Sequence, residues 1–558
     1  MEQKSKEEIE ITIKSPLLLL LILISLVYFY FELKVVLPTN ISFGDEGFHA
    51  SMARFIARNL EYPKYIPFEG SVSIRDGFYR PPFWNFLLAS FFFAFGINEI
   101  VAKNLTLLIT FFLGLLTFAL VKRICDEITA FFASLLLISF QSVLTYTILF
   151  YYADLLLFFV TASFLSFLVF VKEGNKKFFL MSALFASLAL LTNQFALTLY
   201  VIYSIYFLYE FFSEKKYLST TKLYLPFFVL LVLIPSGYLF RNILVYKTPL
   251  CFSIPYIGKL FDNSQCKFDK FEEKYNFVGQ AIPIGTEASA FSIGLMNYFD
   301  FAYANTFFTI LPFITGLILF YLKRDKISIL ILSTFLIFAI LLAEIGRGRA
   351  EDAARYTLGF ASFIAFVAAY FYKEFFEILE KNFKYLGYLL LIGIVIFSLW
   401  SVLGKRIPVN TNNGIIYISL IDNLYGVKVW DQSFFEACKW VKENTLPNET
   451  ISTIWGHNGA WCSDRNMGPA LADILLSNDL NYTLKVLKEN QIEYLWIQKS
   501  SIDPLNRGYA DNYPSRFIQM LIDNPQYFVK VYENGQPIEQ CLQGCYGQTI
   551  FKVNVTNL

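Results

Sequence analysis

The stretch Pro82–Phe95, with the sequence PFWNFLLASFFFAF, decides the topology of the chain. It is apolar, but it has only about two-thirds of the length that a helix needs to cross roughly 30 Å of hydrocarbon. Its length therefore favours a re-entrant helix or a helix that lies in the membrane interface. Whether this stretch crosses the bilayer sets the sidedness of every loop that follows it.

Apolar runs that we interpret as membrane spans follow one another through residues 1–403. Hydropathy of this kind marks spanning helices, and no small-residue cleavage site follows the first run, so we expect it to be retained. The runs are Pro16–Leu37, Val101–Val121, Ile128–Leu149, Leu155–Val171, Phe178–Leu191, Phe195–Phe212, Leu223–Phe240, Phe301–Leu322, Ile327–Ala343, Tyr356–Tyr372 and Tyr385–Leu403. We therefore predict about eleven transmembrane helices, with a membrane-lying helix in the first external loop.

Loop charges give an independent test of this topology, because Lys and Arg in short loops mark the cytoplasmic side. If Pro82–Phe95 does not cross, the loops Phe150–Asp154 and Asn193-Gln194, which contain neither Lys nor Arg, lie outside. The basic loops then all lie inside, at Lys122/Arg123, Lys172/Lys176/Lys177, Lys215/Lys216/Lys222, Lys323/Arg324/Lys326 and Lys373/Lys381/Lys384. The prediction is a cytoplasmic N-terminus and an extracytoplasmic C-terminus, in the plasma membrane.

The composition agrees with an integral membrane protein. Of the 558 residues, 56% are hydrophobic and 16% are charged, which is too apolar for a water-soluble fold. The net charge of +1 produces no long-range field, so the sequence does not indicate a nucleic-acid partner.

The pattern changes at Gly404, where the hydropathy falls and segments of helical and strand character alternate. We interpret residues 404–558 as an extracytoplasmic α/β domain of ordinary domain size. Helical periodicity marks Phe434–Asn444 and Tyr482–Glu489, and strands are predicted at Thr450–Trp455, Tyr494–Gln498, Tyr527–Tyr532 and Thr549–Val555. Most cysteines fall on this side, with Cys251–Cys266 and Cys541–Cys545 the nearest pairs, and free thiols are an equally good alternative.

Ionisable residues gather at the outer ends of the spans, whereas the span interiors carry almost no charge. Since a charge inside the bilayer costs at least about 2.5 kcal/mol, this distribution favours a site at the external face over a channel. The residues are Asp45, Glu46, His49, Arg54, Arg58, Arg80, Asp154, Arg241, Glu344 and Arg355.

Each of these residues also has a purely structural interpretation. Asp45 and Glu46 taken alone are an ordinary pair of solvated loop carboxylates, and Asp154 is placed to cap the helix that follows it. Arg347 and Arg355 lie in a short external loop that is basic against the charge rule, and neighbouring carboxylates could pair with them. The functional alternative is that a guanidinium of this loop binds a phosphate group.

The order of these residues resembles the dolichyl-phosphate-mannose protein mannosyltransferase family, within the C superfamily of membrane glycosyltransferases. The resemblance rests on short elements that share one predicted side of the membrane and covers about the N-terminal two-fifths of the chain. The elements are Asp45-Glu46, Arg80-Pro81-Pro82-Phe83-Trp84 with Phe95-Gly96, Asp154, Arg241-Asn242 with Thr248-Pro249, and Arg355-Tyr356. One position departs from the pattern, because Asn193 stands where the family often carries Lys.

The resemblance implies a glycosyltransferase that takes a hexosyl or pentosyl group from a polyprenyl-phosphate donor, of the dolichyl phosphate type. We expect a single displacement with inversion, in which Asp45 is the general base and Glu46 and Asp154 orient the acceptor or hold Arg and His side chains near the site. The acceptor is a protein, a lipid or a glycan. Arg241, Arg355, Arg347 and Arg80 are the candidates for binding the donor phosphate, and His49, Arg54 and Asn193 for lining the pocket.

No cofactor is expected, because the sequence lacks a convincing cluster of metal ligands, although a divalent cation at Asp45 and Glu46 is an alternative. A rival within the superfamily is an oligosaccharyltransferase, whose Trp-Trp-Asp-Tyr-Gly motif is not found; only Val429-Trp430-Asp431-Gln432 and Ile454-Trp455-Gly456-His457-Asn458 come near it. A transporter or flippase should show an internal repeat or broken, charged helices at the midplane, and neither is evident. A non-catalytic receptor would leave the carboxylates dispensable.

Overall fold

The computed structural model describes residues 15–36, 44–64, 66–67, 77–78, 80–213, 217–249, 306–345, 358–383, 385–404, 406–411, 414–419, 432–454, 456–468, 479–503, 513–541 and 545–554. In the described residues before 405, the regular secondary structure is helical. The helices are α1 (Pro16–Val36), α2 (Gly44–Asn59), α3 (Phe83–Phe95), α4 (Glu99–Ile124), α5 (Glu127–Ser139), α6 (Gln141–Ile148), α7 (Tyr152–Glu173), α8 (Lys176–Thr192), α9 (Leu197–Ser213), α10 (Tyr217–Leu233), α11 (Ser236–Tyr246), α12 (Thr306–Lys323), α13 (Lys326–Ile345), α14 (Ala361–Asn382) and α15 (Leu386–Gly404).

In the described ranges, four helical segments are long and apolar enough to cross a bilayer, as judged by length and composition: Glu99–Ile124, Tyr152–Glu173, Gln194–Ser213 and Leu358–Asn382. A fifth is obtained if Tyr224–Leu233 and Ser236–Tyr246, which meet at an angle of 54°, form one span. Shorter apolar helices occupy most of the other predicted runs. The helical membrane class is therefore confirmed, and the number of about eleven spans stays a prediction.

The run that decides the topology is a short helix, as predicted. Helix α3 has 13 residues, so it is about 20 Å long and too short to cross the hydrocarbon core. It ends at Gly96, whose φ of +97° suits glycine better than any other residue. Trp84, Leu88 and Phe92 bury one face of the helix.

Two predicted spans are interrupted. The run Ile128–Leu149 is wrong as a single helix, because Phe140 adopts an extended conformation between α5 and α6. Neither Gly nor Pro marks that break, so the sequence offers no signal for it. The run Leu223–Phe240 bends between α10 and α11 at Pro235, which lacks the backbone N–H that a continuous helix requires there.

The C-terminal domain contains a five-stranded mixed sheet. Its helices are α16 (Gln432–Asn444), α17 (Gly456–Ser463), α18 (Leu480–Glu489) and α19 (Ser515–Asp523), and its strands are β1 (Arg406–Thr411), β2 (Gly414–Ser419), β3 (Thr450–Ser452), β4 (Asn466–Gly468), β5 (Ile492–Gln498), β6 (Ile502–Asp503), β7 (Tyr513–Pro514), β8 (Phe528–Gly535) and β9 (Gly547–Val553). The order of the sheet is β4-β3-β5-β9-β8, and β3 is parallel to both β4 and β5. The two predicted helices and four predicted strands are present with differences at their ends, whereas α17, α19 and the strands β1, β2, β4, β6 and β7 were not predicted.

Two disulfides lie in the described part of the chain. Cys541 is bonded to Cys545, a pair for which the sequence left a disulfide and free thiols as equal alternatives. Cys438 of α16 is bonded to Cys462 of α17, a pair that their separation in sequence did not indicate. The predicted pair Cys251–Cys266 lies outside the described residues.

Helix α2 belongs to two hydrophobic cores at once. Ala50 and Ala53 are fully buried in the large core of the membrane helices. Phe48 and Met52, with 1% and 0% of their surface exposed, are buried in the core of the C-terminal domain together with Trp496 of β5. These two pairs of residues therefore lie on opposite faces of α2, and the helix joins the two parts of the chain.

Gly47 allows α17 to approach the backbone of α2. A Cβ atom at this position would lie 2.4 Å from the carbonyl oxygen of His457 and 2.7 Å from Oδ1 of Asn458. Both contacts are too close for any side chain, so glycine is required by space rather than by backbone conformation.

We predict that Gly47→Ala separates α17 from α2. The methyl group would meet a backbone carbonyl that cannot move aside, and such overpacking typically costs about 1–3 kcal/mol. Thermal unfolding and limited proteolysis of the C-terminal domain measure this loss. Gly393→Ala in α15 is the control, because a Cβ there meets nothing within 4 Å; equal effects of the two substitutions would contradict the prediction.

Candidate active site

Helix α2 carries the predicted residues Asp45, Glu46, His49 and Arg54. Asp45 is the second residue of the helix, and its side chain lies outside the described part of the structure. Glu46 and His49 are each only 1% exposed. Because the next residues along the helix are buried in the C-terminal domain, these side chains lie at the junction of the two parts of the chain.

Glu46 holds the segment that leads to Asp154. Its Oε1 accepts a hydrogen bond of 3.2 Å from the backbone N–H of Phe150, just before α7. Lys103 of α4 is near enough for its ammonium to interact electrostatically with the Glu46 carboxylate. Glu46 therefore holds the backbone just before α7 in place.

Asp154 is buried at the start of α7, with 1% of its surface exposed. The N-cap of this helix is Tyr151, so the alternative in which Asp154 is the capping residue is wrong. Asp154 is instead the third helical residue, where the helix dipole favours a carboxylate. The rings of Tyr151 and Tyr152 each lie 5.6 Å from the ring of His49, so the beginning of α7 packs directly against α2.

A chain of hydrogen bonds holds His49 and determines which of its ring nitrogens carries the proton. Nδ2 of Asn85 donates to the Tyr62 hydroxyl at 3.1 Å, and that hydroxyl donates to the carbonyl of Gly77 at 3.1 Å. Oδ1 of Asn85 is thereby left as the acceptor that lies 2.6 Å from Nδ1 of His49. The proton of a neutral His49 is therefore assigned to Nδ1, and Nε2 is an acceptor.

Arg80 reaches the same histidine from the loop before α3. Its Nη1 lies 3.4 Å from Nε2 of His49, and its guanidinium lies over the ring of Phe48 at 4.8 Å from the ring centre. An aromatic face stabilises a cation without neutralising its charge. Arg80 is thus held in place while it keeps the positive charge that a phosphate would need.

Arg241 is connected to this group through aromatic rings. Its guanidinium lies over Phe78 at 4.8 Å and over Tyr246 at 5.4 Å. Phe78 is stacked on Tyr62 at 4.1 Å, and Tyr62 belongs to the hydrogen-bond chain of His49. The structure therefore brings Arg241 and Arg80, which are far apart in sequence, to the same network.

Arg54 has a different position from the one expected. Its two terminal nitrogens donate to the carbonyls of Trp461 and Ala460, both at 3.0 Å, and it forms an ion pair of 3.1 Å with Asp464. Its guanidinium also lies 5.1 Å from the centre of the Trp461 ring. Arg54 therefore joins α2 to the C-terminal domain, and burial lowers its pKa to about 10, which leaves it charged at neutral pH.

Asn193 also makes a structural contact. It ends α8, and its Oδ1 accepts a hydrogen bond of 2.9 Å from the backbone N–H of Phe195 in the short helix that follows. This cap explains Asn193 through local structure, since Asn is a favoured capping residue. Arg347 and Arg355 lie outside the described residues.

Sequence reasoning missed Tyr62, Phe78 and Asn85. Asn85 had a usable signal, because it is a single amide within the apolar stretch Pro82–Phe95 and it is completely buried. A buried amide needs hydrogen-bond partners, which are here His49 and Tyr62. In the described ranges, no group of three or more His, Cys, Asp and Glu side chains is placed to hold a metal ion.

The fold and this site define a class: a helical membrane protein whose α/β domain packs on the first helix after the first apolar segment. Residues 79–238 match the family model described as dolichyl-phosphate-mannose-protein mannosyltransferase. The match covers 160 of the 558 residues, all of them in the helical part of the chain. No curated protein sequence matches the chain.

Three kinds of solved structure share this fold at low sequence identity. The archaeal oligosaccharyltransferase AglB from Archaeoglobus fulgidus, in complex with an inhibitory peptide and a dolichol-phosphate, is 12% identical with a TM-score of 0.62 over 96% of this chain and 74% of that chain. ArnT from Cupriavidus metallidurans, bound to undecaprenyl phosphate, is 9% identical with a TM-score of 0.55 over 96% of this chain and 97% of that chain. The arabinofuranosyltransferase AftD from Mycobacteria is 13% identical with a TM-score of 0.53 over 96% of this chain and 40% of that chain.

We predict that the junction weakens at low pH through Asp464. Burial opposes ionisation of this carboxyl, but the hydrogen bond from Arg58 and the charge of Arg54 outweigh it and lower the pKa of Asp464. A depressed carboxylate pKa adds stability above the ordinary value of about 3.9, and that stability is lost as the pH falls through the lower pKa of the folded protein.

Asp464→Asn should remove this contribution at neutral pH and lower the unfolding temperature of the C-terminal domain, because hydrogen bonds to charged groups contribute about 1.5–3 kcal/mol. Unfolding followed from pH 7 to pH 3 measures the difference from the native chain, which should shrink as the pH falls. A constant difference across this range would contradict the assignment to Asp464.

Proposed function

We propose that the chain transfers a sugar from a polyprenyl-phosphate donor to an acceptor on the face of the membrane that carries the C-terminal domain. The observation that carries the proposal is that α2, α3, α7 and α11 bring acidic, imidazole and guanidinium groups to one junction. The match of residues 79–238 to a mannosyltransferase family model supports the same reaction class. AglB with dolichol-phosphate and ArnT with undecaprenyl phosphate support a lipid phosphate as the carrier.

The side of the membrane favours such a donor on physical grounds. Nucleotide sugars remain in the cytoplasm, so a transferase that acts on the other side needs a sugar carried by a lipid. A polyprenyl phosphate presents an anionic phosphate at the membrane surface and an apolar chain below it. Arg241 and Arg80 supply positive charge at that level, and both guanidinium groups are held over aromatic rings.

The reaction that we propose is one displacement at the anomeric carbon with inversion. Asp45 removes the proton of the acceptor hydroxyl as that oxygen forms the new glycosidic bond. The bond between the anomeric carbon and the phosphate oxygen breaks at the same time, and the polyprenyl phosphate leaves with the electron pair. No acid is needed for this leaving group, because the guanidinium groups stabilise the negative charge that develops on the phosphate.

His49 connects the two ends of this site. It lies one helical turn after Asp45 and accepts a hydrogen bond from Arg80. Glu46 fixes the turn before α7 through Phe150, and the same turn leads to Asp154. In this scheme Glu46 and His49 fix the position of the base relative to the phosphate-binding arginines. Asp154 orients the acceptor or an arginine.

Transfer of a whole lipid-linked glycan is the second candidate, because the oligosaccharyltransferase AglB has the highest TM-score of the three structures described above. The two reactions differ in the mass that the acceptor gains. A purified enzyme given a polyprenyl-phosphate monosaccharide adds one sugar residue under the first proposal. Activity only with a preassembled oligosaccharide donor would favour the second.

We predict that Asp45→Asn lowers kcat by about 10²- to 10⁴-fold, the usual contribution of a general base. Sugar transfer by the purified protein from a polyprenyl-phosphate donor gives the rate. Asp523→Asn, on the exposed end of α19, is the control and should leave kcat unchanged. A wild-type kcat in Asp45→Asn would exclude Asp45 as the base.

We also predict that Arg241→Gln raises KM for the donor by about tenfold or more, because a charge-assisted hydrogen bond to the phosphate is lost. KM for the acceptor should change little. Arg241→Lys should give an intermediate value, since it keeps the charge but not the planar fork. Arg324→Gln, at an exposed arginine beyond α12, is the control, and an equal rise in KM there would show a general effect of charge instead.

A further inference from the structure

A cavity lies at the junction, apart from the network of His49, Arg80 and Arg241. Its volume is about 610 Å³, and its walls come from the end of α2, the loop before α4, the start of α4, and the helices α16 and α17. The bond between Cys438 and Cys462 forms part of the wall and ties α16 to α17. We call it the α2–α16 cavity.

The α2–α16 cavity is strongly cationic. Five basic and two acidic side chains line it, namely Arg54, Arg58, Lys103, Lys439, Lys442, Glu99 and Asp464, which leaves a net charge of +3. Asp464 is shared by Arg54 and Arg58, and Glu99 lies 4.0 Å from the ammonium of Lys103. In the described part of the chain, no carboxylate forms an ion pair with Lys439 or Lys442, and both side chains are exposed.

Such a charge distribution favours an anion in the cavity. Cations that face one concave surface repel one another, and an anion bound between them removes that repulsion. The N-terminus of α4 contributes in the same sense, because it begins in the cavity wall after Asn98 and its dipole is positive at that end.

One side of the cavity opens onto apolar surface. Ile97 and Ile100 belong to its lining and are 36% and 50% exposed. Phe93 and Phe95, at the end of α3, are 68% and 69% exposed close by in the chain. In a membrane protein such side chains face lipid, so the cations of the cavity stand beside the bilayer rather than in open water.

We propose that the α2–α16 cavity binds the phosphate-bearing headgroup of an anionic membrane lipid, with its acyl chains against Ile97, Ile100 and the end of α3. Basic pockets beside membrane helices are suited to such headgroups. Lys439 and Lys442 are the cations that meet the phosphate first, because they are exposed and form no ion pair with a carboxylate in the described part of the chain. A bound lipid joins α4 to α16 and therefore stabilises the C-terminal domain on the membrane helices.

The test measures lipid binding to the full chain in a neutral detergent by native mass spectrometry. Phosphatidylglycerol should bind in preference to phosphatidylcholine, and it should raise the unfolding temperature. The double substitution Lys439→Gln and Lys442→Gln should weaken phosphatidylglycerol binding by about tenfold or more, since each lysine near a headgroup contributes about 1 kcal/mol. Glycerol phosphate, added without a lipid, tests whether a free phosphate anion binds to the same cavity.

The control is Lys485→Gln with Lys488→Gln on α18, which removes the same charge at the same spacing from exposed positions of the same domain. It should leave binding unchanged. Equal binding of both lipids, or equal losses in the two double variants, would overturn the proposal. Binding of glycerol phosphate as strong as that of phosphatidylglycerol would overturn the lipid part of it. None of these outcomes depends on sugar transfer, so they are independent of the proposed function.

Discussion

The close contact of α2 with α17 is the constraint on which the rest of the junction depends. A helix that has a membrane core on one side and a soluble core on the other must satisfy both with residues only one or two positions apart. Ala50 and Ala53 are small enough to let α3 approach on one side, and Gly47 lets the carbonyl of His457 approach on the other. Phe48 and Met52 then supply the apolar surface that holds the C-terminal domain in place.

The same geometry explains why polar groups are retained at this depth. Burying a charge or an amide is unfavourable unless it is hydrogen-bonded, and the buried Glu46, His49 and Arg54 of α2 each have a partner on another element. Glu46 bonds the backbone before α7, His49 bonds α3 and the loop before it, and Arg54 bonds α17. These contacts hold α2 in one orientation, which keeps Asp45, at its first turn, at a fixed place relative to α7 and α3.

The two cationic regions of the junction are physically different. Arg80 and Arg241 rest on aromatic faces next to the histidine network, which suits the binding of a single phosphate in a defined position. The α2–α16 cavity instead combines flexible, exposed lysines with a lipid-facing edge. A lipid-linked donor and a bulk membrane lipid both have a phosphate and an apolar chain. Sites that distinguish the two would therefore need a difference such as this one, between arginines fixed over aromatic rings and exposed, flexible lysines.

The sequence by itself determined the class of the protein, the short helix Pro82–Phe95, the carboxyl-terminal α/β pattern and most of the charged residues of the junction. Hydropathy, loop charge and helix length are local properties, so they can be found without tertiary contacts. Only the tertiary structure decided that Arg54 and Asn193 make structural contacts, that Cys438 is bonded to Cys462, and that Phe140 interrupts a predicted span. It also decided that Asn85 and Tyr62 connect His49 to Arg241, since residues distant in sequence meet only when the helices pack.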